Sequence, residues 1–422
     1  MNNLKSYQLL LIFFLLFITV VLYIPMLNAG YALTDDHVML QSYSGSLKEL
    51  SFKYIINTFK HCNEGLYHPL VTLAYSAEKT FFSFVPEKFA PTIFHFDNIL
   101  LHLINLFLVF LILFKLSNSF WLAFITASLF SVHPTRVEVV AWISSRKELL
   151  YSLFYLLSIW FYIKTYGSKR IKTYTTLSII AFLLSCFSKV TAITLPFVLI
   201  LIDIYTKNFN KNKLKVYFIY FIAILFFIIV NIYAHYFSNY EHSAFGLTIF
   251  KHTVNFINAH FNILFYLDKL ILPINLYLIY PYFYNKFTMP PAFILYSPAI
   301  LYILIYLSYL SLQRTKTIFY GFIFFIITIL PSSNVLPIGA FAVADRYTYI
   351  PYIGLFFIFS KTIIHFYNKY NTYVKAFIII FCITIFTILN YLTYNRVIDW
   401  QTNNYGAPIN MEYYEFGIKK QQ

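Results

Sequence analysis

Apolar runs close to the roughly 20 residues that a helix needs to cross a bilayer recur along this chain from its first ten residues to its last forty. They lie near 7–27, 93–114, 118–134, 149–165, 173–187, 190–206, 216–236, 292–312, 317–331, 350–366 and 376–394. In lipid, only helices and closed barrels satisfy their own backbone groups, and runs this long and this apolar are helical. The predicted fold is all-α and polytopic, with about eleven transmembrane helices. Composition excludes a soluble globular domain: 60% of residues are hydrophobic and 11% are charged, against about 25% charged in ordinary soluble proteins. The segment 253–273 is also apolar but carries His260, Asp268 and Lys269, so it is predicted to lie on the membrane surface or dip into it. The run 7–27 follows Lys5 but exceeds the 7–15 residues of a signal-peptide core. It is predicted to be a retained first span.

The net charge of +15 is distributed as short clusters between the runs, which is the pattern of cytoplasmic loops and not of a nucleic-acid-binding face. The clusters are Lys164 with Lys169, Arg170 and Lys172; Lys207 with Lys211, Lys213 and Lys215; Arg314 with Lys316; and Lys361 with Lys369 and Lys375. Placing these inside, with Lys5 and Lys115, puts the N-terminus inside and the C-terminus outside. Asp203 is then the only inner carboxylate, and all other acidic residues face outward. The expected organisation is a membrane domain over 1–394, with a first outer loop at 28–92, followed by a short outer tail at 395–422. Within the outer loop, 46–59 and 71–84 have the apolar spacing of interfacial helices. Cys62, Cys186 and Cys382 have no disulfide or metal spacing.

The unusual polar residues gather on the outer side. Thr34-Asp35-Asp36-His37 places two adjacent carboxylates just beyond the first span, in a chain with only 16 Asp and Glu among 422 residues. Like charges side by side repel, so Asp35 and Asp36 are candidates for a general base or for a base with a metal; the competing reading is an ordinary turn. His95, Asn98, His102 and Asn105 fall at i, i+3, i+7 and i+10, on one face of the second span. Such groups in lipid face the bundle interior, as interhelical hydrogen-bonding partners or, less readily, as substrate contacts. The loop from Ser131 to Leu150 crowds His133, Arg136, Glu138, Arg146, Lys147 and Glu148 together. Lys189 sits in a tight outer turn, and Asp345-Arg346-Tyr347 follows Pro331 to Asn334. Three outer turns thus bring cations to the surface that holds Asp35 and Asp36, which suits an anionic lipid headgroup. The alternative is internal pairing, such as Arg136 with Glu138 or Arg346 with Asp345.

In order, Thr34-Asp35-Asp36, Tyr67-His68-Pro69-Leu70, His95 to Asn105, His133-Pro134 through Arg146-Lys147-Glu148, Ser188-Lys189 with Leu195-Pro196 and Asp203, Pro273 with Asn275-Leu276, Ser333-Asn334 through Asp345-Arg346-Tyr347, and Asn395-Arg396 to Trp400 cover almost the whole chain. This ordered set resembles the membrane half of the tetratricopeptide-repeat O-mannosyltransferase-like proteins, within the GT-C class of polytopic glycosyltransferases. The resemblance implies an inverting glycosyltransferase that takes a sugar from a polyprenyl-phosphate donor to an acceptor hydroxyl at the outer face, expected to be the periplasmic face of a bacterial inner membrane. Asp35 or Asp36 would be the base, and a divalent metal, if any, would sit on them. Arg146, Lys147, Lys189 and Arg346 would hold the donor phosphate, with Arg136 and His133 as further candidates. His68, His95, Asn98, His102, Glu138 and Trp142 would line the substrate cavity. Partners would be the lipid-linked sugar, membrane lipid, and a glycan, lipid or protein acceptor. Two departures stand out. The repeats expected after the last span do not occur before Gln422, and His68 stands where the family leads one to expect Arg.

Other functions remain in competition. A transporter or flippase predicts ionisable groups near mid-membrane and paired broken helices. A polymerase or ligase of lipid-linked glycans shares the substrate class, and a non-catalytic scaffold shares only the span pattern. The sequence leaves the sugar and the acceptor open.

Overall fold

The structure, a computed structural model, describes residues 5–32, 36, 50–62, 67–237, 249–280, 291–333 and 343–404. Asp35, residues 46–49 of the first expected interfacial helix, residues 334–342 and the tail beyond 404 lie outside the described residues. The protein is an all-α polytopic integral membrane protein. Among the described residues every regular element is a helix.

A helix stands at each of the eleven apolar runs. The helices at these runs are α1 (Ser6–Tyr23), α4 (Ala90–Ser117), α5 (Phe120–Val132), α7 (Arg146–Lys164), α8 (Ile171–Ser188), α9 (Leu195–Tyr205), α10 (Leu214–Phe237), α13 (Ser297–Leu310), α14 (Lys316–Ile329), α15 (Tyr352–Lys369) and α16 (Thr372–Gln401). Between them lie α2 (Phe52–Lys60), α3 (Pro69–Phe81), the single turn α6 (Val137–Ala141), α11 (Ile249–Ile271) and the short α12 (Ala292–Leu295). Among the described residues, five segments are long and apolar enough to cross a membrane: Ser6–Asn28, Ala90–Ser117, Ile171–Ser188, Leu214–Tyr236 and Thr372–Gln401. The others are shorter or carry more charge.

Local chemistry sets several boundaries. Asn118 adopts a left-handed conformation (φ 51°) that stops α4, and the hydroxyl of Ser119 accepts from Leu122 N–H to start α5. Asn tolerates this backbone region better than most residues. His68 precedes α3, whose first residue, Pro69, needs no hydrogen-bonded N–H there. The apolar faces then assemble the bundle. Helix α4 packs on α5 and α7, α7 on α8, and α15 on both α5 and α14, while α16 closes against α1, α5 and α15. At the α14–α15 crossing, a Cβ built on Gly354 would lie 2.3 Å from the Gly321 carbonyl oxygen. Only paired glycines let those backbones come so close.

The stretch 133–145 departs from a simple surface loop. It folds as three successive turns, Pro134–Arg136, α6 and Ile143–Ser145, and it is buried throughout. Buried backbone carbonyls need partners. The Asn98 amide supplies two of them, donating at 3.2 Å to Val140 O and to Trp142 O, and Tyr75 donates to Ile143 O at 2.6 Å. At the opposite end of the bundle, the buried Asp203 carboxylate accepts from the hydroxyls of Tyr162, Tyr166 and Tyr217 and from Lys213. That cluster ties α7, α9 and α10 together.

Candidate active site

The loop after α1 reaches the buried 133–145 turns through one carboxylate. Asp36 is fully buried. Its Oδ2 accepts from Ala32 N–H at 2.9 Å. Its Oδ1 accepts from Ser144 N–H at 2.9 Å and from the Ser144 hydroxyl at 2.5 Å. This carboxylate acts as a bracket between two loops. Its neighbour Asp35, the other half of the predicted pair, lies outside the described residues.

The cations that the sequence assigned to a phosphate differ in how many internal partners hold them. Each guanidinium nitrogen of Arg146 is engaged: it pairs with Glu78, donates from Nε to Asn98 Oδ1 at 2.5 Å and from Nη2 to Phe94 O at 2.8 Å, and lies over the Tyr75 ring. Arg136 is fully buried and donates to Tyr349 O, Thr348 O and the hydroxyls of Thr135 and Thr348, among the rings of Phe130, Tyr349 and Tyr352. Burial pushes its guanidinium down to about 10, so it stays charged at neutral pH. Carbonyls and π faces solvate that charge. His133 has both ring nitrogens engaged, at 2.8 Å from the Thr135 hydroxyl and at 3.1 Å from Leu270 O.

Arg346 meets Glu138 as a buried pair and lies over Trp142 at 5.1 Å. Burial acts to lower the Arg346 guanidinium, but the Glu138 carboxylate outweighs it and raises it above its ordinary value. Asp345 pairs instead with Arg396 at 2.6 Å and accepts from the Tyr280 hydroxyl at 2.7 Å. The neighbour pairings considered from sequence, Arg136 with Glu138 and Arg346 with Asp345, are therefore replaced by longer-range ones. Adjacent side chains on a tight turn diverge, and the register between helices decides which charges meet.

His68, Lys147 and Lys189 lie close together. Lys189 pairs with Glu148 at 2.5 Å and lies over the Tyr347 ring at 4.9 Å. Burial, together with the positive charges of Lys147 and Lys189, pushes the His68 ring down to about 3, so it is neutral. Its Nδ1 has no hydrogen-bond partner among the described residues. Lys147 is half-buried.

The polar face of α4 goes to interhelical bonding. His95 bonds Gly30 O at 3.2 Å, His102 bonds the Tyr349 hydroxyl at 2.7 Å, and Asn105 donates to Leu149 O at 3.1 Å. His95, Asn98 and His102, named as cavity candidates, therefore hold the site's walls together. Trp142 is buried beside Trp400. Sequence reasoning missed Glu78 and Ser144. Glu78 could have been found: it follows Tyr75 by three positions on the buried side of α3, and a charge on that side calls for a partner. Ser144 carries no such signal. Among the described residues, no three His, Cys, Asp or Glu side chains group as a metal site.

No family model matches the chain. In sequence it is 24% identical over 324 residues to a protein O-mannosyl-transferase of Caenorhabditis elegans, covering 73% of this chain and 44% of that protein. In structure it matches the apo Archaeoglobus fulgidus oligosaccharyltransferase with a TM-score of 0.50 at 12% identity, over 99% of this chain. The fold is GT-C-like. The chain spans about half the length of both, 44% of the first and 58% of the second. Within this GT-C-like fold, Asp36 shares one end of the bundle with the ion pairs of Glu78, Glu138 and Glu148, and Asp203 with Lys213 marks the other.

Proposed function

We propose that this protein is an inverting glycosyltransferase that moves a sugar from a polyprenyl phosphate to an acceptor hydroxyl at the outer face of the membrane. The observation that carries the reading is the convergence of His68, Lys147 and Lys189, from three separate segments, beside the loop bracketed by Asp36. A polyprenyl phosphate keeps its tail in the bilayer and its phosphate at such a cluster. The similarity to an O-mannosyl-transferase supports the transfer chemistry.

In this reading Asp35 takes the proton of the acceptor hydroxyl, and the freed oxygen attacks the anomeric carbon. The bond from that carbon to the phosphate oxygen breaks as the new one forms. Lys147 and Lys189 stabilise the charge gained by the departing phosphate, and neutral His68 offers it a hydrogen bond. Asp36 positions the loop. Arg146, Arg136 and Arg346, each fixed by several internal partners, build the site, whereas Lys189 exchanges its single carboxylate partner, Glu148, for the phosphate.

The test uses purified protein with polyprenyl-phosphate sugars carrying a radiolabelled hexose, and host membranes as acceptor. Label should move from a polyprenyl-phosphate sugar with the wild-type protein and not with Asp35→Asn. Label that moves only from a nucleotide sugar would overturn the reading.

A further inference from the structure

At the end of the bundle away from the candidate active site, an apolar cleft opens between α4, α7, α9, α14 and α15. Leu113, Leu156, Leu201, Phe324 and Phe357 line it, and the close Gly321–Gly354 crossing forms part of its wall. The chemistry changes at its mouth. Tyr205 and Tyr320 stand there with rings 5.2 Å apart, as aromatic side chains do at the headgroup level. Three of the lining helices carry an exposed cation just beyond: Lys115 adjoins Leu116 of α4, Lys207 follows Tyr205 of α9 by two residues, and Lys316 begins α14 one turn before Tyr320. Among the described residues, none of the three makes a salt bridge.

A cleft walled by hydrocarbon within a membrane bundle, with unpaired cations at its headgroup end, has the polarity of one ligand class. We propose that it binds an anionic phospholipid, one acyl chain between α4, α9 and α14 and the phosphate among Lys115, Lys207 and Lys316. The site is separate from the donor-binding cluster and does not depend on the transfer reaction.

Native mass spectrometry of the full chain in neutral detergent tests this, with phosphatidylglycerol and phosphatidylcholine of matched chains as probes. Each lysine near a phosphate should favour the anionic lipid about fivefold. The wild-type protein should retain one phosphatidylglycerol in preference to phosphatidylcholine, and glycerol 3-phosphate, a headgroup without chains, should not displace it. Leu201→Trp, which fills the cleft, should lose the lipid; Leu116→Trp at its rim gives the same readout if the first variant does not fold. Lys115→Gln with Lys207→Gln and Lys316→Gln should abolish the preference. Equal retention of the two lipids by wild type, or undiminished phosphatidylglycerol binding in the tryptophan variants, would overturn the proposal.

Discussion

Arg346 and Glu138, 208 residues apart in the chain, meet in a buried ion pair, and the Arg346 backbone N–H donates to the second oxygen of the same carboxylate at 3.0 Å. One carboxylate thus holds both the side chain and the turn of Asp345–Thr348. Removing one member of a buried pair typically costs about 3–5 kcal/mol, because the other charge is left without compensation. Arg346→Met should lower thermal stability by that order. The double variant Arg346→Met with Glu138→Gln should regain part of the loss. A double-mutant cycle in detergent with additive losses would show that the pair contributes no coupling.

Asp35 and Asp36 should separate in assay. Asp35→Asn should leave the folded yield intact and reduce transfer by roughly 100- to 10,000-fold, the usual cost of a missing general base. Asp36→Asn keeps the shape but replaces an acceptor-only group with an amide facing Ser144 N–H and Ala32 N–H. It should therefore lower stability as well as activity. Equal activity loss at unchanged melting temperature in both would mean that Asp36 also takes part in the chemistry.

The phosphate-binding cations should divide along their existing partners. Lys147→Ala and Lys189→Ala should raise the apparent KM for the lipid donor by about tenfold, a contact of roughly 1.4 kcal/mol, with acceptor dependence nearly unchanged; Lys189→Ala also strands the buried Glu148 and should lower stability as well. Arg146→Ala strands Glu78, Asn98 and Phe94 O at once, so it should reduce folded protein first. Arg146→Lys should rescue it partly, since lysine lacks the fork. A well-folded Arg146→Ala protein with a raised donor KM would return Arg146 to the phosphate site.

What the sequence could reveal followed from rules of short range. Each apolar run corresponds to a helix because span length and backbone satisfaction in lipid leave no other element. The face holding His95, Asn98, His102 and Asn105 was readable because helical periodicity alone decides which residues share a side. The pairing of charges was not readable: Asp345 belongs to Arg396 and Glu138 to Arg346, and those choices depend on how α16 and the turn before α15 settle against the 133–145 stretch. The burial of that stretch was hidden for a similar reason. Its charges suggest a surface loop until Asn98 and Tyr75, from other helices, satisfy its carbonyls.

Glu78 gives the site a pH dependence. Burial, opposed by Arg146 and reinforced by the charge of Asp97, pushes its carboxyl from 4.5 up to about 7. The folded state therefore holds the proton more tightly than the unfolded state does. The stability this supplies is complete below about 4.5, declines as pH rises and is lost above about 7, a total on the order of 3 kcal/mol. Melting temperature should accordingly fall between pH 5 and 8. Glu78→Gln carries no titrating proton and keeps an oxygen for Arg146, so its melting temperature should fall less over the same interval. Melting curves for the two proteins that stay parallel from pH 5 to 8 would show that Glu78 titrates alike in the folded and unfolded chains.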